Sequence, residues 1–244
     1  MIVSYNYDNT ALKQLLGLIL LDNITPDAQD WLSNKGETRE VDDFNAAFVM
    51  MPRKTGKSLI SVTSEQLSQL CLVRQNLCIS GWTTDQLARV YLLMQAETGD
   101  RERYVKIIEN LFLIGEMNEL VALYSALPLL AYPELWARRC AEGIRSNIGS
   151  VLEAIMYRNP YPAEQLFEQA WNQLVMKAIF TEKKLGLIIG IEKRNNVELA
   201  RMLLDYAREQ GAAGRAVVPE LWQLAGKFAD PGAIVDLRQM YQFN

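Results

Sequence analysis

Histidine is missing altogether from the 244 residues. That excludes Ser-His and Cys-His nucleophile pairs, His-ligated zinc or iron, and imidazole acid–base chemistry. Any catalysis would rest on carboxylates, lysine, tyrosine, cysteine or a metal from outside. Cysteine is scarce as well. Cys71, Cys78 and Cys140 are odd in number and lack metal-type spacing, so no metal site, no cofactor and no disulfide framework is expected. Cys71 and Cys78 stand seven apart, which predicts one helix face for both, as small hydrophobes.

An excess of positive charge is lacking too. With 25 Lys and Arg against 29 Asp and Glu, the net charge is −4, which argues against a general nucleic-acid binder. Near the start the longest aliphatic run, "GLILL" (17–21), is far too short to span a membrane. Asp8 stands where a signal peptide would carry its basic flank. The chain therefore reads as cytoplasmic and not inserted in a membrane. Strand-like alternation and low-complexity linkers are also absent. The best strand candidate, "SLISVT" (58–63), is short and isolated.

What is present is helical patterning from end to end. Thr25 caps a helix that Pro26 opens, and Thr63 with Gln66 reads as a capping box, as does Thr83 with Gln86. A further helix starts at Asp100 and stops by Gly115, and another starts near Asn195 with Glu198 completing its cap. About a dozen helices joined by short turns predict an all-α fold. Its architecture would be an array of antiparallel helix pairs, an α-solenoid of superhelical, HEAT-like character. "YPELWARRCA" (132–141) is echoed by "VPELWQLAGK" (218–227), each helix opened by its proline. Residues 1–50 read as an N-terminal helical bundle, 51–62 as a loop junction and 63–244 as the array body, joined in one continuous domain.

"KTGKS" (54–58) invites a phosphate-loop reading and fails it. Met51 occupies the position of the first glycine, and Pro52 removes a backbone donor. Arg53, Lys54 and Lys57 remain as candidate anion contacts on a solvated loop. In "NPYPAEQLFEQAWNQLVMKAIF", Pro162 opens a helix whose residues Phe167, Trp171, Leu174, Val175 and Ala178 share an apolar face at about 100° per residue. Glu164, Glu168 and Asn172 run along one edge of that face, and Lys177 lies on the opposite flank. They are either boundary polarity, with Glu164 facing the helix dipole, or a ligand edge. In the preceding helix Trp136, Cys140 and Ile144 form a line that Asn147 continues. A buried amide there must be bonded or face a polar cavity. Arg145 points roughly 120–160° away and needs another partner. Asp205 sits within reach of Arg201 and Arg208, as in a surface ion-pair ladder.

The block from Leu120 to Phe228, with its "RSN", "NPYP", "AWNQ" and "ARML-DYA" elements, resembles the EboA family of bacterial metabolite-cluster proteins. "PRKTGK" resembles a motif in that family's first half. The resemblance implies a metabolite traffic protein encoded beside a prenyltransferase-like and a sugar-phosphate-cyclase-like protein. Residues matching the family pattern are Arg145, Asn147, Asn159, Tyr161, Glu164, Asn172, Lys177 and Asp205. Arg208 stands where relatives tend to carry histidine, which weakens any enzymatic reading.

The expectation is a non-enzymatic binding or adaptor protein. It would hold a small polar metabolite, prenylated or cyclitol-type, or another protein of the same gene cluster, against a patch around Asn147, Tyr161 and Asn172. The rival is an enzyme with Glu164 or Glu168 as base and Lys177 as acid or anion clamp. A third reading is a structural subunit in which these polar residues tie helices together.

Overall fold

Several helix starts follow side-chain capping chemistry legible in the sequence. A computed structural model describes residues 5–36 and 41–228, with residues 230 and 232. Asp8 accepts from the Ala11 N–H and starts α1 (Asn9–Leu21). Then come α2 (Pro26–Gly36), α3 (Val41–Thr55) and α4 (Ser64–Val73), the last opened by the expected Thr63–Gln66 box. α5 (Thr84–Gln95) differs from its forecast. Thr83 donates to Asp85, and Gln86 donates to Ser125, so the two do not form a box. Asp100 and Gly115 bound α6 (Arg101–Ile114) as expected.

The remaining helices are α7 (Met117–Ala126), α8 (Ala137–Ile144), α9 (Gly149–Met156), α10 (Tyr161–Gln165), α11 (Glu168–Phe180), α12 (Val197–Ala212) and α13 (Pro219–Ala225). Among the described residues the fold is all-helical, with three short 3₁₀ turns and no strand. The strand candidate contributes a single bridge, from Leu59 to Thr83. Asn196, rather than Asn195 with Glu198, caps α12, and Glu198 pairs instead with Arg201. "PELW" at 133–136 is a 3₁₀ turn ahead of α8. α4 ends before Cys78, so Cys71 and Cys78 do not share a helix.

Two local departures come from long-range partners. The segment expected as a loop from residue 51 stays helical through Thr55, with Pro52 inside α3. Pro52 has no N–H for the carbonyl of Phe48 four residues back. Arg89 of α5 fills the gap, its Nε donating to that carbonyl at 3.0 Å. The helix expected to run unbroken from Pro162 to Phe180 is two helices, α10 and α11, parted at Leu166–Phe167. Arg194 makes the break affordable in hydrogen bonds: its guanidinium donates to the carbonyls of Pro162, Ala163 and Leu166 at 2.9, 3.0 and 2.6 Å, and stacks over Trp171. Phe167 consequently leaves the apolar face and is 83% exposed.

α3 packs on α5, α5 on α7 and α7 on α9; α8 then links α9 to α11, and α11 leads to α12 and α13. One hydrophobic cluster runs from Leu12 to Ala225, and Trp136 and Trp171 are its largest fully buried side chains. No described helix is long and apolar enough to cross a membrane.

Candidate functional site

The residues singled out from sequence are placed apart, and most are engaged within the protein. Asn159 is buried and saturated. Its Nδ2 donates to the carbonyls of Tyr124 and Ala154, and its Oδ1 accepts from the Tyr161 N–H. Tyr161 is fully buried, and its hydroxyl donates to Pro133 O at 2.5 Å. Burial raises its pKa far above the ordinary phenol range. Asn172, also buried, exchanges two hydrogen bonds with Asn196 at the start of α12. Each of these three ties one element to another.

Asn147 does not continue the buried line of α8. That helix ends at Ile144, and Asn147 lies exposed, its Oδ1 accepting from Lys177 Nζ at 2.9 Å. Glu164 is held by Arg74 of the turn after α4. Glu168 is exposed at the start of α11, where its charge acts on Arg194. Arg145 is exposed, with no ion-pair partner among the described residues. The expected ladder of Asp205 with Arg201 and Arg208 is present. Glu164, Glu168 and Lys177 therefore have separate neighbours, and Asn147, Tyr161 and Asn172 form no common patch.

Polar side chains gather elsewhere, along a groove where the N-terminal turns of α5, α7 and α9 meet the C-terminal end of α3. Three adjoining cavities of about 660, 340 and 360 Å³ make it up. Lys57 and Asn118 line both the first and second; Gln86, Val121 and Ser150 line both the second and third. The wide end contains two of the three anion candidates from the sequence, Arg53 and Lys57, over a floor formed by Arg89 and Glu119, whereas Lys54 lies over the Trp31 ring. The narrow end is lined by Ser80, Trp82, Ser125, Tyr157 and Arg158, with Asn159 in its wall.

The floor is a buried ion cluster. Arg89, 2% exposed, meets Asp85 at 2.6 Å and Glu119 at 3.7 Å, with its guanidinium over the Phe48 ring. Burial lowers the Arg89 pKa, against the pull of Asp85 and Glu119. Arginine remains charged under such a load. At the narrow end Arg158 holds a positive φ of 51°, a left-handed conformation that costs a non-glycine residue about 1 kcal/mol or more. Its backbone N–H donates to Leu187 O, and its guanidinium donates to the Cys78 sulfur at 3.8 Å, with no ion-pair partner among the described residues. The hydroxyls of Ser80 and Ser150 have no partner among the described residues. Arg89, Trp82 and Arg158 were not singled out from sequence. The cue available for Arg89 was Pro52 in α3, which leaves the Phe48 carbonyl without its helical N–H donor.

The fold and groove define a class: a protein that is all-helical among its described residues, with a groove that carries several polar groups without committed partners. Among the described residues no group of three His, Cys, Asp or Glu side chains is placed to hold a metal ion. The chain belongs to the EboA family, since the model described as "Metabolite traffic protein EboA" matches residues 12–226. That span confirms the resemblance read from the sequence and extends it through the N-terminal half, groove included. Membership assigns the chain a role in metabolite traffic. No curated protein and no solved structure matches it.

Proposed function

We propose that the protein is a non-enzymatic carrier or adaptor that holds a small, hydroxyl-bearing polar metabolite in the narrow end of the groove. The supporting observation is the contrast in engagement. The Ser80 and Ser150 hydroxyls and the Arg158 guanidinium face a 360 Å³ cavity without committed partners, whereas Glu164 and Lys177 are spoken for elsewhere. A cavity of this size lies within the usual range for small ligands, roughly 300–1,000 Å³. Trp82 offers a flat face to the ring or carbon skeleton of such a metabolite, and the hydroxyls and Arg158 fix its orientation.

In this reading the protein acts in the cytoplasm of a bacterium, beside the other proteins of its metabolite cluster. The packing order α3, α5, α7, α9 supports viewing the body as an array of stacked antiparallel pairs, with the groove along one edge.

The test is native mass spectrometry of the purified protein after incubation with a polar bacterial extract. A bound small molecule should appear, leave unchanged in mass, and bind at least about tenfold more weakly to Trp82→Ala and Arg158→Ala variants. Conversion of the ligand by the isolated protein would overturn the non-enzymatic reading. Unaltered binding by both variants would remove the narrow end as its seat.

A further inference from the structure

The wide end of the groove differs in chemistry from the narrow one. Val49, Met50, Ile114 and Met117 all line this 660 Å³ cavity, and they are 47%, 39%, 55% and 49% exposed. Four large apolar side chains left in water around one concavity form a patch that costs free energy until something apolar covers it. They converge from three elements, the C-terminal half of α3, the end of α6 and the first residue of α7. The patch is therefore a product of packing and not of one greasy helix face.

The polar half of the same cavity has an unequal demand for partners. Its carboxylates are engaged. Glu119 faces Arg89 and accepts from the Glu116 N–H at 3.0 Å, and Glu116 and Glu119 close a capping box at the start of α7. Asp85, behind the floor, accepts from Thr83 and Arg89. The cations at the rim are not engaged. Arg53 in the last turn of α3 and Lys57 just beyond its end have no carboxylate within ion-pair distance among the described residues. What Arg53 and Lys57 lack is a negatively charged acceptor within ion-pair distance, and the apolar side chains lie beside them in the same cavity.

We propose that the wide end binds a monomeric anionic amphiphile, with a phosphate monoester or carboxylate head at Arg53 and Lys57 above the Arg89 floor and a hydrocarbon body against Val49, Met50, Ile114 and Met117. A flat lipid surface fits the geometry less well than a single molecule, because Arg89 lies at the bottom of a recess and the apolar groups line its walls. The site stands apart from the narrow-end reading, since it shares Lys57 and Asn118 with the middle cavity and no lining residue with the narrow one. Either can fail without the other.

The experiment is calorimetric titration of the full-length protein with decyl phosphate, decanoate, decanol and inorganic phosphate, each below its micelle-forming concentration, beside sedimentation with anionic phospholipid vesicles. Decyl phosphate or decanoate should bind at least tenfold tighter than decanol and than inorganic phosphate. Affinity should rise about tenfold for two further methylenes. The double variant Arg53→Glu, Lys57→Glu should lose the preference for the charged head but retain its helical circular dichroism. Met117→Gln should weaken the dependence on chain length. Equal binding of decyl phosphate and inorganic phosphate would overturn the proposal. So would an unchanged charged-head preference in the double variant, or co-sedimentation with vesicles without any binding of monomeric amphiphile.

Discussion

Arg74 and Glu164, ninety positions apart, meet in a two-pronged ion pair, Nη1 to Oε1 at 2.9 Å and Nη2 to Oε2 at 2.6 Å. Arg74 is nearly buried, lies over the Tyr7 ring and reaches the Pro128 carbonyl, so one guanidinium joins the turn after α4, the N-terminal segment and α10. Glu164 is thus a counter-ion within the fold. Glu164→Ala should lower stability by about 3 kcal/mol, because it leaves a sheltered cation unpaired. Urea unfolding measures the loss, and ligand binding at the groove should persist in the folded fraction.

Arg89→Met should be more damaging. It strands Asp85 and Glu119 and withdraws the donor that Phe48 O receives in place of Pro52. A loss of about 3–5 kcal/mol is expected. Arg89→Lys should recover only part of it, since one ammonium cannot serve three acceptors in a planar fork. Denaturant midpoints of the two variants compared side by side decide the point.

The amides of Asn172 and Asn196 bond to each other in both directions while Asn196 caps α12 through the Leu199 N–H. Asn196→Ala should cost about 2–4 kcal/mol, combining a lost cap with an orphaned buried amide. A double-mutant cycle with Asn172→Ala should show clear non-additivity, because the second substitution removes the orphan left by the first.

Gly143 lies where α8 crosses α7 and α9. A β-carbon there would stand 2.5 Å from both Ile155 Cδ1 and Tyr124 Cζ. Gly143→Ala should therefore destabilise by about 1–3 kcal/mol, despite alanine's better helix propensity. Thermal unfolding of the variant gives the sign.

Burial lifts the Tyr124 pKa to about 12 from its ordinary value of 10.0, with Cys140 and Glu142 adding to the rise and Arg139 opposing it. Tyr104 and Tyr161 shift the same way, chiefly through burial. The unfolded chain gives up these protons first. The folded state thus keeps the tyrosines' full advantage below about pH 10, begins to lose it above that value, and has lost the share of Tyr124 once pH passes about 12. With no histidine, stability should be nearly flat between about pH 6 and 8. Urea midpoints taken across this pH series check both limbs.

Local chemistry was legible where cause and effect lie within a few residues. Thr63 and Gln66 cap α4, Asp100 and Gly115 bound α6, and Asp205 pairs with its own helix neighbours, because all these partners are three or four positions apart. Arg53 and Lys57 stood out in the sequence only as cations left over from the failed phosphate-loop pattern of "KTGKS"; their lack of an ion-pair partner among the described residues is a tertiary result. Projection failed where a distant group intervened. Arg194 ends α10 and turns Phe167 outward, and Lys177 meets Asn147 from thirty positions away. A helical wheel drawn through residues 162–180 could not contain either event.

The sequence by itself determined the helical character of the described chain, the absence of imidazole chemistry, the positions of several helix starts, and membership of the EboA family, since these rest on short-range periodicity, composition and motif. Only the tertiary structure decided which polar groups are consumed and which face the groove. A hydrogen bond depends on position in space, and the partners of Arg74, Arg89 and Asn172 are brought to them by packing rather than by proximity along the chain.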